Sequence, residues 1–424
     1  MGALDGGYVL PNLAGDPIRT PEVFPTGCNS YQFDPRLIPT EVAGARGAKI
    51  AEETMRLFGE KHGHYPETVG VILWGFETAK TFGESVGQIL SYLGLRMIHG
   101  GGWYPTLEVI PLEELGRPRI DVNINICGFF RDLFLNLVKT LDEGLATVAS
   151  LEEEESQNYI KKHARDIFDD LLAKGVPTKQ ARKISSARLF GPKAGEYATN
   201  LPQLIETSNW ESEDDLASSY MERMGYLYGD NIHARESAGV FKYLLSRTEI
   251  VSQVRDSHEY EITDLDHYYE FFGGLSKSVE QTSGKKPEML IADTTKEKSQ
   301  LKEAGEAIRH GMVSRLLNPR WIDGMLAHDF HGAQQIADRV EYALGLAATT
   351  GAVDNWTWSS IANRYIFDEQ MLQRLLQNNP FATAEMARRL IEADRRGYWD
   401  ATEEEREKLK GFYLEIERAI EERI

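Results

Sequence analysis

Glu77 and Glu84, seven residues apart within VGVILWGFETAKTFGESVGQILSYL (69–93), are the side chains best suited to chemistry. Two carboxylates reaching one cleft can bind a hard divalent cation or accept protons, and burial beside an apolar strand raises their pKa. The alternative is that Glu84 caps a helix and Glu77 is a solvated loop residue. A second group is CGFFRD (127–132). Arg131 could hold a carboxylate with its planar fork while Phe129 and Phe130 line an apolar pocket. Equally, the phenylalanines are core and Arg131–Asp132 is an internal ion pair. His328 and His331, in HDFH, have the spacing of two ligands on one helical turn, but no H-E-x-x-H or Cys partner accompanies them. They support at most one ligating or proton-transferring histidine. Residues 83–87, GESVG, match the G-x-S-x-G nucleophile elbow. An elbow serine sits on the tight turn directly after a strand, whereas Ser85 lies eleven residues beyond Trp74. A serine hydrolase is therefore a distant alternative. Asp264, Asp266, His267, Tyr268 and Tyr269 form a polar aromatic cluster that is either a turn or a pocket wall.

The elements that must position these groups follow from periodicity. The continuous apolar run 69–74 suits a strand buried on both faces. Gly75 ends it, and from about Lys80 the residues Val86, Ile89, Leu90 and Leu93 mark one face of a helix. Glu77 then lies in the loop and Glu84 in the first turns of the helix, at the carboxyl end of the strand, where open α/β sheets bind ligands. Ile50, Thr54, Leu57 and Phe58 predict a preceding helix ending near Gly63. Residues 95–98 and 107–110 read as short strands. Residues 120–126 alternate Val122, Ile124 and Ile126 with Asn123 and Asn125, the pattern of a strand with one buried face. A helix over 133–148 follows. The expected fold class is α/β, a parallel-sheet domain with βαβ units followed by extensive helical regions and a small mixed part. The expected divisions are a Gly/Pro-rich extended segment 1–40, the α/β domain 41–150, helices over 151–245, a mixed α/β region 246–320 and helices over 321–424. Within 151–245, Ser212 and Asp215 resemble a capping box with Asp in place of Glu, opening a helix over 213–228.

Composition narrows the function. A formal charge of −19 disfavours nucleic acid and anionic membrane surfaces as partners. The two cysteines, Cys28 and Cys127, build neither a disulfide framework nor a thiolate zinc site. There is no run long enough for a membrane span and no signal-peptide pattern at the N-terminus, which makes the cytoplasm the expected compartment. The absence of a G-x-x-x-x-G-K-[ST] phosphate loop places any ATP use on another subunit.

Several phrases resemble, in one order along nearly the whole chain, the large subunit of the ATP-dependent tetrapyrrole metal chelatases, the cobaltochelatase large subunit and magnesium chelatase H subunit. They are PTGCNSYQFDPRLIPT (25–40), ILWGFETAKTFGES (72–85), VIPLEELGRPRIDV (109–122), GFFRDLF (128–134), NWESEDDLA (209–217), LLNPRWIDGM (316–325), ATTGAVDNW (348–356) and RRGYWDATEE (395–404). Such subunits are much longer, and this sequence resembles their C-terminal portion. The resemblance implies that the chain binds the tetrapyrrole and a divalent metal as substrates. It also implies AAA+ ATPase and adaptor subunits as partners, with ATP-Mg held by them, and the subunit's N-terminal region as a further partner. It assigns Glu77 and Glu84 to metal delivery or proton removal, with His328 in support. Arg119 and Arg131 would hold peripheral carboxylates, and Tyr31, Trp74 and Phe130 would face the macrocycle. YYEFFGGL (268–275) and NPRWI look like the cobalt branch, PRIDVNINICGFFRDLF and RRGYWDATEE like the magnesium branch; cobalt is slightly favoured. Cys28 stands where the family commonly has arginine, so a substrate role for that arginine does not carry over. A non-catalytic tetrapyrrole-binding scaffold or sensor is the alternative from another class.

Overall fold

The apolar runs near residues 70 and 124 become the two strands around which the first half of the chain is arranged. The computed structural model describes residues 2–15, 21–31, 34–99 and 105–421. It comprises two compact units, Met1–Ala198 with Arg223–Asp256 and Thr199–Glu222 with Ser257–Ile424. The sequence divisions 151–245 and 246–320 each contribute to both units.

In the first unit, β1 (Asn12–Leu13) and β2 (Asn29–Tyr31) make a short parallel pair. Helix α1 (Glu41–His62) is capped by the Thr40 hydroxyl, which accepts the Ala43 N–H, and it ends at a left-handed Gly63. Then follow β3 (Thr68–Leu73), α2 (Gly75–Thr81), α3 (Glu84–Leu93), the antiparallel hairpin of β4 (Leu95–Ile98) and β5 (Thr106–Val109), and α4 (Leu112–Leu115). Next come β6 (Asp121–Ile126), α5 (Gly128–Leu133), α6 (Leu135–Ala149), α7 (Tyr159–Ala173), α8 (Thr178–Ser186) and β7 (Leu189–Gly191). The chain then contributes α9 (Leu201–Thr207) and α10 (Glu213–Met224) chiefly to the second unit. It returns with β8 (Tyr226–Gly229), β9 (Ile232–Glu236), α11 (Ala238–Arg247) and β10 (Thr248–Arg255). The strands of this unit lie in the order β10-β3-β6-β7-β8-β9. β10, β3, β6 and β7 run parallel, and β8 and β9 are antiparallel additions.

Three details differ from the sequence reading. The strands at 95–98 and 106–109 pair with each other as a separate hairpin and do not enter the sheet. β6 is buried along its whole length, asparagines included, because it is a central strand against which α3 and α7 pack. Parallel strands are covered on both faces, and Asn125 meets the polar cost of that burial by donating to the Asn123 side-chain oxygen at 3.0 Å. Lastly, the helix after β3 begins at Gly75 and is broken at Phe82 (φ 56°), so that Glu77 is helical and Glu84 opens a second helix.

α3 packs on β3 and β6, with Val86, Ile89, Leu90 and Leu93 buried. α1 crosses α3 at Gly47, where an added Cβ would lie 2.2 Å from the Glu84 carbonyl oxygen. Only a residue without a side chain permits that approach. Gly47→Ala is expected to lower stability by about 1–3 kcal/mol, the range for overpacking a close contact, read as a lower denaturant midpoint with an unchanged slope.

The second unit is mainly helical: α12 (Gly274–Ser283), α13 (Ala304–Gly311), α14 (Pro319–Leu326), α15 (Asp329–Thr350), α16 (Asn355–Tyr365), α17 (Glu369–Asn378), α18 (Pro380–Arg395) and α19 (Glu403–Glu421), with an antiparallel pair β11 (Glu288–Asp293) and β12 (Gln300–Glu303). α15 buries Ile336, Val340 and Leu344. The Asp215 carboxylate accepts the Ser212 N–H at 2.9 Å, as the modified capping box requires, although α10 stops at Met224. The phrase YYEFFG (268–273) forms a wide π-helical turn, every residue of it buried. Among the described residues, no helix is long and apolar enough to cross a membrane.

Candidate active site

β10, β3 and β6 run parallel, so their carboxyl ends open at one sheet edge, and the residues that follow them build the site. β3 continues as Trp74-Gly75-Phe76-Glu77 and β6 as Cys127-Gly128-Phe129-Phe130. Each strand thus ends in one residue, then Gly-Phe and a helix. The two helices pack against each other, and Phe76 stacks on Phe129 with ring centroids 4.4 Å apart and planes inclined by 15°. A Cβ at residue 75 would lie 2.0 Å from Phe129 Cδ1, so glycine there lets the second ring close over the first turn.

Glu77, the residue after Phe76 in α2, is 5% exposed. The Thr81 hydroxyl donates to it at 3.0 Å and accepts the Glu84 backbone N–H at 3.1 Å, linking the two acidic positions through one hydroxyl. Glu84, also buried, receives the Arg46 Nε–H at 2.6 Å. Asp256, directly after β10, pairs with Lys80 at 3.1 Å. The three carboxylates are therefore not equivalent. Glu84 and Asp256 each have a cation, whereas Glu77 has hydroxyl partners. Burial, and next the charges of Asp256 and Glu84, push the Glu77 carboxyl up to about 8. Such a group exchanges its proton near neutral pH, which suits general acid–base work. Among the described residues, no three His, Cys, Asp or Glu side chains converge closely enough to hold a metal ion.

The other residues expected at the site are used differently. Arg119 is fully buried, and its guanidinium donates to the carbonyls of Leu93, Gly94 and Ile110 and to Glu153, leaving no donor for a ligand's carboxylate. Arg131 is likewise buried. It donates to the carbonyls of Lys193 and Glu196 at 3.0 Å and pairs with Asp132 at 2.7 Å, so it pins residues 193–197 to α5. Phe130 is core, packed on Phe134 at 5.2 Å; the aromatic surface belongs instead to Phe76, 66% exposed, and the half-buried Phe129. Trp74, the residue after β3, is half-buried. Tyr31 ends β2, and its side chain lies outside the described residues. His328 is exposed at the start of α15, in the second unit. Ser85 is the second residue of α3 and 1% exposed, which is not the geometry of an elbow nucleophile. The sequence reading missed Phe76, Thr81, Arg46 and Asp256. The repeated Gly-Phe after two apolar strands was the available signal for Phe76; the others come together only through packing.

The family model described as CobN/Magnesium Chelatase matches residues 1–406. An uncharacterized protein of Methanocaldococcus jannaschii is 40% identical over 429 residues, covering 100% of this chain and 35% of its own length. The chloroplastic magnesium-chelatase subunit ChlH of Oryza sativa subsp. indica is 37% identical over 99% of this chain and 30% of its own. The aerobic cobaltochelatase subunit CobN of Sinorhizobium sp is 36% identical over 93% of this chain and 31% of its own. Among solved structures, the catalytic subunit of cobaltochelatase from Mycobacterium tuberculosis superposes with a TM-score of 0.90 at 33% identity, over 98% of this chain and 35% of that one. The chain thus spans about a third of the length of these relatives. With the match running through every segment that forms the carboxylate edge, the chain belongs to the CobN/magnesium chelatase family.

Proposed function

We propose that this chain is the tetrapyrrole-binding, metal-inserting portion of a chelatase large subunit, and that Glu77 accepts a proton from the ring during insertion. Insertion requires a divalent metal to shed water, the macrocycle to deform and two pyrrole N–H protons to leave. A buried carboxyl with hydroxyl rather than cationic partners, close to neutral in its acidity and next in sequence to the exposed Phe76, suits the third of these steps. That juxtaposition carries the reading. Glu84, paired with Arg46, holds the start of α3 and supplies negative charge toward the incoming cation. Arg119 and Arg131 have no part in ring binding on this reading, since their donors serve backbone carbonyls and the carboxylates of Glu153 and Asp132.

The metal is cobalt in preference to magnesium, on the phrases YYEFFGGL and NPRWI, and the ring is a corrinoid precursor in preference to a porphyrin. ATP hydrolysis belongs to AAA+ partner subunits acting with an adaptor, since this sequence has no phosphate loop. The proposed compartment is the cytoplasm.

A fluorescence titration of the purified chain with protoporphyrin IX and, in parallel, with hydrogenobyrinic acid a,c-diamide tests this reading. Saturable binding of the corrinoid alone is the expected result. Binding of the porphyrin alone would reassign the metal to magnesium, and binding of neither would remove ring recognition from this chain.

A further inference from the structure

We infer that Phe76 and Phe129 form one stacking platform, on which a face of the flat macrocycle lies at the mouth of the Glu77 site. The inference rests on the chelatase reading and adds the side chains that seat the ring. Three observations carry it. The two phenylalanines come from different strands, through the same strand, Gly-Phe and helix arrangement, and meet at 4.4 Å with nearly parallel planes. Phe76 remains 66% exposed although its neighbour in sequence, Glu77, is buried. The pair also sits at the carboxyl edge of the parallel strands, where this class of sheet receives ligands. Water gains nothing from an exposed aromatic pair, whereas the π-surface of a tetrapyrrole can extend the stack and remove apolar area from solvent. Phe76 and Glu77 both lie in the helix that follows β3, so a ring resting on the platform is held at the same strand end as the group that takes its proton.

The test compares ring binding by the full chain and by three variants, using the two tetrapyrroles named above. Phe76→Ala is expected to weaken binding about tenfold, in the range that loss of one stacking aromatic produces. Phe76→Tyr keeps the ring and should restore affinity, which a merely structural role at so exposed a position would not require. Val42→Ala removes another exposed apolar side chain of the same unit and should leave binding unchanged. Circular dichroism and the denaturant midpoint of Phe76→Ala should match the parent chain. If the parent binds a ring and Phe76→Ala binds it as tightly, the platform is overturned while the chelatase reading stands. If the parent binds neither ring, both are overturned.

Discussion

Replacing Glu77 with glutamine is expected to slow metal insertion about 10²–10⁴-fold, the usual contribution of a positioned acid–base group, while leaving ring binding intact. Glutamine retains the size of the side chain and can still accept from Thr81, so the α2 turn should survive, but it cannot take up a proton. The assay is metal insertion by the chain combined with the ATP-hydrolysing partner subunits proposed above, followed by the absorption change of the tetrapyrrole. The pH profile gives a second readout. Glu77 must be ionised to accept a proton, and burial with two neighbouring carboxylates holds its carboxyl at about 8. Activity should therefore rise with pH up to about 8 and level off above it, and this limb should vanish in Glu77→Gln. Stability moves in the opposite direction. A carboxyl raised from 4.5 to about 8 on folding contributes stability that is full below 4.5 and is lost as pH rises through about 8. The variant should be less sensitive to alkaline pH than the parent. Insertion at the parental rate by Glu77→Gln would refute its role as proton acceptor.

The second large effect is expected at the opposite end of the sheet. Asp121 opens β6 and is fully buried, accepting Arg188 Nε–H at 2.9 Å and bonding His163 Nδ1 at 2.8 Å. His163 Nε2 reaches Glu67 at 3.2 Å, and Lys162 pairs with Glu67 at 2.7 Å. Three basic side chains, Arg188, His163 and Lys162, and two carboxylates thus form one network, with Lys162 at its rim. Arg188→Met would leave the Asp121 charge buried with too little compensation, and removing one member of a buried pair costs about 3–5 kcal/mol. Chemical denaturation at pH 7 measures it; a loss under 1 kcal/mol would show that the network is not a stabilising unit. The same groups set the pH limits. Burial presses the His163 imidazole toward neutrality, but its bonds to Asp121 and Glu67 outweigh that and raise its pKa. Its contribution is therefore present below 6.5 and is lost as pH rises through the raised value. The bond from His163, with help from Lys162, lowers the Glu67 carboxyl to about 2, so its contribution is present above 4.5 and disappears as pH falls toward 2.

Local periodicity identified β3, β6, α1 and α3 because each has an apolar pattern that does not depend on a distant partner. It failed at the hairpin of β4 and β5, where short apolar runs look alike whether they enter a parallel sheet or pair only with each other. It also misjudged β6, since alternating asparagines resemble a solvent face until packed helices cover them. The short strands β7, β8 and β9 went unread within a region that otherwise has helical texture.

The sequence by itself determined the family, the strand ends that form the edge, and the two acidic side chains near it, because residue type and local spacing are sufficient for each. The tertiary structure alone decided what those groups can do. Arg46 reaches Glu84 because α1 and α3 cross at Gly47, and Asp256 comes to the edge because β10 lies beside β3. Those two arrivals leave Glu77 as the carboxyl whose charge is poorly compensated. The same packing commits Arg119 and Arg131 to backbone carbonyls and turns Phe76 outward. Charge compensation and exposure depend on which distant segments meet, and one-dimensional spacing does not encode that.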